Sequence, residues 1–159
     1  MKYYIIAGEA SGDLHGSNLI KELKIINPSS TFRCWGGDLM KSQCNKLVMH
    51  YDDFSYMGFL EVILNAKKIL SYISLCKKDI EEYNPDVIIY IDYPGFNMKI
   101  AEWAKRKNFI NHFYISPKVW VWKEYRVKKI KRVIDKMYVI LPFEEGFYLN
   151  KHNYKVDFV

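Results

Sequence analysis

Short runs of apolar residues alternate along the chain with longer stretches whose apolar positions recur every three or four residues. Residues 3–7 (YYIIA), 31–35 (TFRCW), 86–92 (DVIIYID), 110–115 (INHFYI) and 136–141 (KMYVIL) are the strand candidates, and 86–92 is the clearest. Helical spacing predicts helices over 13–25, over 56–83, over 97–107 and over 124–134, with short ones after Gly36-Gly37 and after Pro142. Asn27-Pro28, Asn84-Pro85 and Ser116-Pro117 punctuate the pattern. Strands that are apolar throughout and separated by helices imply a parallel sheet covered on both faces. The expected fold class is therefore α/β, a doubly wound, mostly parallel sheet with helices on both faces. Residues 155–159 (KVDFV) read as a last strand with no helix after it, which suggests a larger protein cut at a domain edge.

Sheets of this kind bind ligands at the carboxyl ends of their strands. That rule selects three loops. The first, GEASGDLHG, follows a strand and opens a helix. Its glycines (Gly8, Gly12 and Gly16) do not have the GxGxxG spacing of a dinucleotide site, and Glu9 would repel a pyrophosphate. Backbone amides here can still hold hydroxyls or one phosphate. A tight turn with Ser11 or Asp13 as helix cap is the other reading. The second loop begins at Asp92, at the end of the best strand, and continues Tyr93-Pro94-Gly95-Phe96-Asn97. Pro94 predicts an extended Tyr93, and Asn97 is suited to cap the next helix. An acid at a strand end facing a crevice is a candidate general base, and partial burial would raise its basicity. Capping of its own loop is the alternative. The third loop, YISPKVWVW, offers two tryptophans for stacking on a sugar or a base, or for closing the core.

Two helices carry unusual charge patterns. Residues 123–136 (KEYRVKKIKRVIDK) hold seven basic and two acidic residues, with Val127, Ile130 and Ile134 on one face. This is a solvated charged face or an attractor of anionic lipid or nucleic acid. In the long helix, Phe59, Val62, Ile63, Ala66, Ile69, Leu70 and Ile73 form the expected core stripe. Leu60, Leu64 and Leu75 form a second stripe, flanked by Lys67 and Lys68. Either that helix is buried on two sides or the second stripe meets a membrane or partner.

Composition narrows the picture further. Half of the 159 residues are hydrophobic, which excludes a disordered chain. The formal charge of +6 allows an anionic partner without choosing one. No run approaches the roughly 20 apolar residues of a transmembrane helix, and the N-terminus has no signal-peptide pattern. Three scattered cysteines without a CxxC pair, and four scattered histidines, give no metal or thioredoxin-like motif and fit a cytoplasmic protein.

Seven segments now stand in order: 8–16 (GEASGDLHG), 36–40 (GGDLM), 57–62 (MGFLEV), 92–97 (DYPGFN), 114–122 (YISPKVWVW), 126–130 (RVKKI) and 141–148 (LPFEEGFY). Together they resemble the amino-terminal half of the lipid-A-disaccharide synthase family. The resemblance implies the Rossmann-like amino-terminal domain of a GT-B glycosyltransferase, spanning 1–159, with the carboxyl-terminal UDP-sugar-binding domain lying outside this chain. It implies an inverting transfer of 2,3-diacylglucosamine from its UDP derivative to 2,3-diacylglucosamine 1-phosphate, at the cytoplasmic face of the inner membrane of Gram-negative bacteria. No metal or other cofactor is implied. By motif position, Asp92 matches the family's motif aspartate and is the candidate base. Gly8, Glu9, Ser11, Gly12, Asp13, Met57, Gly58, Glu61, Asn97 and Ser116 match positions lining the cleft, and Leu60, Leu64, Lys67, Lys68 and Leu75 match a membrane-contacting region. Gly95 stands where many relatives carry a second acid, which leaves Asp92 without a carboxylate partner in that loop. The implied partners are the acylated sugar phosphate, the UDP-sugar and the membrane surface, not nucleic acid, and the fragment alone is expected to be inactive. The alternatives are another two-domain nucleotide-sugar transferase, against which GEASGD and SPKVWVW argue, and a basic nucleic-acid-binding module built on 123–136.

Overall fold

The computed structural model describes residues 1–54, 66–122 and 124–159. Seven strands form, β1 (Lys2–Ala7), β2 (Thr31–Gly36), β3 (Lys46–His50), β4 (Val87–Ile91), β5 (Asn111–Tyr114), β6 (Lys136–Val139) and β7 (Asp157–Phe158). The helices are α1 (Ala10–Ile26), α2 (Asp38–Gln43), α3 (Tyr51–Phe54), α4 (Ala66–Tyr83), α5 (Pro94–Arg106), α6 (Val119–Trp122), α7 (Val127–Val133) and α8 (Pro142–Gly146). A 3₁₀ turn, Glu124–Arg126, leads into α7, and a π-helical turn, Phe147–Lys151, prolongs α8.

The strands pair in parallel in the order β3-β2-β1-β4-β5-β6-β7. The period-2 alternation of a strand sends Tyr4, Ile6, Ile88, Tyr90 and Phe113 to one core, with α4, α5 and α7. It sends Ile5, Ala7, Phe32, Ile89 and Ile91 to the other, with α1 and α2. This is the doubly wound α/β sandwich expected from the pattern. Strand β3 was not legible beforehand. It is an edge strand with every residue at least partly exposed, and its apolar run is only three residues, Leu47-Val48-Met49.

Helix α4 corrects the expected stripe. Ile73, Cys76 and Ile80 are buried, whereas Leu70 is 62% exposed. The seam runs through Ile69, Ile73, Cys76 and Ile80, and Leu70 lies one step of about 100° outside it. Phe59, Val62 and Ile63 lie outside the described residues. The helix is fixed to the sheet through the buried Asp79, which accepts a hydrogen bond from Tyr4 at 2.8 Å and pairs with Arg33 at 3.0 Å. The Tyr4 hydroxyl in turn accepts from the Trp35 indole at 2.7 Å. Trp35, Tyr4, Asp79 and Arg33 thus partner one another, which is the condition for burying them.

A second buried carboxylate ties α1 to α2. Asp13 accepts from the amides of Gly37 (2.7 Å), Met40 (2.9 Å) and Leu39 (3.1 Å). It therefore caps α2 across space and not its own helix, which begins three residues earlier, at Ala10. Its charge satisfies the orphan amides at the α2 N-terminus. Gly37 must be glycine here, since a Cβ would sit 2.6 Å from Asp13 Oδ2 and 2.3 Å from the Tyr51 ring.

Candidate active site

β1 and β4 are neighbours at the point where strand order reverses, so the chain leaving β1 and the chain leaving β4 turn to opposite faces. A crevice opens between such loops. Glu9 stands on one side and Asp92 on the other, both at strand ends.

The β4–α5 turn departs from the extended geometry expected before proline. Asp92 (φ 42°) and Tyr93 (φ 45°, ψ 54°) are both left-handed. Such residues cost on the order of 1–3 kcal/mol each and persist only where their surroundings overdetermine them. The surroundings here are explicit. The Tyr93 ring lies over Gly8, where a Cβ would come within 2.3 Å of it. The ring also packs edge-on against Phe54 and tilted against Phe96. The Tyr93 carbonyl accepts from the Asn97 amide at 3.1 Å. The Asn97 side chain donates to the carbonyls of Asp92 (2.8 Å) and Ile91 (3.3 Å). Pro94 takes the first helical position of α5, which explains why that helix starts three residues before the expected Asn97.

Asp92 itself is half-buried and opens into a cavity of about 390 Å³ shared with Gly95, Pro117, Lys118 and Arg126. A second cavity of about 340 Å³ adjoins it past Pro94, Gly95 and Pro117 and reaches Lys99 and Lys129. Burial pushes the Asp92 carboxyl above the usual carboxylate range, and the negative charge of Glu9 pushes it the same way. The Tyr93 amide and Lys118 pull it back only in part. On the far side of Gly95 lies an apolar cavity of about 270 Å³, walled by Phe54, Ile69, Tyr72, Tyr93 and Phe96, with Lys99 at its rim. Gly95 borders all three spaces, and a Cβ there would meet nothing within 4 Å.

The other expected cleft residues that the structure describes fall into three groups. Glu9 and Ser11 are exposed at the crevice mouth, bonded to each other. Gly8 and Gly12 bring α1 close to the sheet, Gly12 against Ala7 and Ile91. Asp13, Asn97 and Ser116 are buried, 3%, 0% and 5% exposed. Ser116 donates to the buried Glu144 at 2.7 Å, and Glu144 also accepts from the Trp120 indole and the Leu141 amide. That contact clamps the 116–120 loop onto α8 and points the serine away from the cavity. Trp120 is partly buried and makes a T-shaped contact with Phe143. Met57, Gly58, Glu61, Leu60 and Leu64 lie outside the described residues.

Lys99, Lys118 and Arg126 line the crevice without having been singled out. Lys118 and Arg126 were visible inside the SPKVWVW and RVKKI segments. Lys99 carried no motif, and only its place one turn after Gly95 on α5 could have indicated it. On α4, Lys67, Lys68 and Leu75 are exposed, as is Leu70 from the expected core stripe, while Leu60 and Leu64 of the second stripe lie outside the described residues. No helix among the described residues is long and apolar enough to cross a membrane.

Residues 3–159 match the family model described as lipid-A-disaccharide synthetase. The chain belongs to the lipid-A-disaccharide synthetase family. It is 43% identical over 155 residues to a lipid-A-disaccharide synthase of Geobacter metallireducens, covering 98% of this chain and 40% of that protein. It is 38% identical over 159 residues to one of Francisella philomiragia, covering 100% and 42%. The chain thus spans about two-fifths of the length of these relatives. Among solved structures, UDP-GlcNAc 2-epimerase from Neisseria meningitidis bound to UDP-GlcNAc superposes with a TM-score of 0.69 at 13% identity, over 99% of this chain and 45% of that one. A Methanocaldococcus jannaschii UDP-GlcNAc 2-epimerase gives 0.65 at 14% identity, over 100% and 45%. At this identity the likeness concerns the fold, the Rossmann-like half of a GT-B architecture.

The raised Asp92 has a consequence for stability. A folded-state carboxyl shifted upward makes ionisation cost the folded chain, so stability falls as pH rises through the interval above about 3.9. Asp92→Asn keeps a residue that tolerates the left-handed region. The variant is expected to melt above the parent at pH 7, with the difference closing as pH approaches 4. A variant that melts below the parent at pH 7 would contradict the shift.

Proposed function

We propose that this chain is the acceptor-facing part of a lipid-A-disaccharide synthase and that Asp92 is its general base. In the proposed step, Asp92 takes the proton of the acceptor sugar's 6-hydroxyl while that oxygen attacks the anomeric carbon of the UDP-sugar. The new glycosidic C–O bond forms, the bond from the anomeric carbon to the diphosphate breaks, UDP leaves, and the configuration inverts. A single observation carries this reading: a half-buried carboxylate with raised basicity at the strand-order switch, open to a cavity large enough for a sugar. Small-molecule pockets begin at about 300 Å³. A base poised nearer the working pH transfers protons more effectively than an ordinary aspartate. The backbone clamp by Asn97, Tyr93 and Gly8 supports the role, because a fixed base avoids reorganisation at the moment of reaction.

The nucleotide half of the site belongs, in this reading, to the remaining length found in the relatives, and residues 1–159 alone do not turn over substrate. Docking of α4 on the inner face of the inner membrane would bring the crevice to its acylated substrates. Exposed Leu70 and Leu75 enter the interface while Lys67 and Lys68 meet anionic headgroups, each lysine contributing about 1 kcal/mol. The nucleic-acid alternative is weakened by the basic helix's own contacts. Lys129 and Arg132 pair with Glu102, Lys136 pairs with Asp157, and Lys131 donates to the carbonyls of His152 and Asn153.

In the full-length enzyme, Asp92→Asn is expected to lower kcat by about 10²–10⁴-fold with little change in KM, the usual share of a general base. Turnover within threefold of the parent would remove Asp92 from the role. For the membrane face, Leu70→Ser/Leu75→Ser is expected to weaken co-sedimentation of the 159-residue chain with phosphatidylglycerol vesicles about tenfold or more. Unchanged co-sedimentation would place the membrane contact elsewhere.

A further inference from the structure

Three cations around the crevice, Lys99, Lys118 and Arg126, have no ion-pair partner among the described residues, although Lys129 beside them is paired with Glu102. Lys99 and Lys118 are exposed and lose little by this. Arg126 is half-buried, and a guanidinium withdrawn from water without an anion is costly. Its position does not serve the helix either. Arg126 is the N-cap of α7, whose first turn holds no acid. A cation at that end opposes the helix dipole. Among the described residues Asp92 is the only carboxylate lining the two adjoining cavities, and Arg126 borders both.

We propose that Arg126, flanked by Lys99 and Lys118, seats the phosphate of the acceptor sugar phosphate. The guanidinium fork matches two phosphate oxygens at once, and the lysines add point charges from the opposite walls. Pro94, Pro117 and Val119 line both cavities and offer apolar surface to a sugar face. The acceptor's anomeric phosphate and its 6-hydroxymethyl group leave the two ring carbons that flank the ring oxygen. A phosphate held at Arg126 therefore fixes how the ring lies in the crevice and so which way its 6-hydroxyl faces. This assignment rests on the reading of the crevice as the acceptor site, and it names residues that position the acceptor without touching the transferred proton.

The test is an amide NMR titration of the 159-residue chain with glucosamine 1-phosphate, inorganic phosphate and UDP as separate probes. Glucosamine 1-phosphate is expected to shift the amides of Gly95, Val119 and Arg126 saturably, and inorganic phosphate to shift the same set more weakly. Arg126→Gln should weaken the sugar phosphate about tenfold, as expected for a lost charge-assisted contact. Lys99→Gln, an exposed change that leaves the fold intact, should weaken it by a smaller factor. Lys21→Gln on the far side of α1 serves as the equal-charge control and should change nothing. Shifts spread over the basic surface, or an equal loss in the Lys21 control, would overturn the site. Tighter binding of UDP than of glucosamine 1-phosphate at these amides would overturn its assignment to the acceptor. Failure here leaves the turnover test of Asp92 untouched, so the two readings fall separately.

Discussion

The contact of the Tyr93 ring with the bare backbone of Gly8 holds the rest of the site in place. It joins the loop leaving β1 to the loop leaving β4 across the one point where the sheet changes direction. With no side chain on Gly8, the ring lies flat on the first loop, and two successive left-handed residues become tolerable. Those two residues swing Asp92 off the strand axis and into the crevice, and they let α5 begin at Pro94. Asn97 completes the arrangement by binding the carbonyls that the turn leaves free. The carboxylate's basicity follows from this backbone, because the same turn withdraws it from water and holds it near Glu9.

The architecture was legible because parallel strands are buried on both faces and announce themselves as apolar runs. Residues 86–92 and 3–7 are of this kind, and both lie at the centre of the sheet. The edge strand β3 escaped because an edge need not be apolar. The site was legible in outline, since Asp92 and the GEASGD loop stand at the ends of the two central strands. Its details were hidden for a conformational reason. Proline predicts an extended predecessor, yet the tertiary contacts of Tyr93 override that local preference. Asp13, Asn97 and Ser116 had the right positions in sequence, but their side chains satisfy backbone amides, carbonyls and Glu144. Motif position reveals that a residue is needed near a cleft, and only geometry separates a residue that meets ligand from one that holds the wall.

Charge behaves in the same way. The run at 123–136 held most of the net positive charge in the sequence, and it suggested a basic surface for an outside partner. In the fold several of those charges are spent on Glu102, Asp157 and two main-chain carbonyls. Three cations without an ion pair among the described residues border the crevice beside Asp92: Arg126 from that run, with Lys118 and Lys99 from two other elements. A crevice that holds both a base and unpaired cations suits a ligand that carries both a hydroxyl and a phosphate.

The account depends on Asp92 being a carboxylate of raised basicity at a solvent-reached position. Carboxyl-carbon NMR of the 159-residue chain, labelled at aspartate and followed from pH 3 to pH 8, reads that property directly, with Asp92→Asn assigning the resonance. The predicted titration midpoint lies clearly above the ordinary aspartate value of about 3.9, and it falls toward that value when Glu9 is replaced by glutamine, because the nearby negative charge is removed. A midpoint at or below the ordinary value, unmoved by Glu9→Gln, would contradict it.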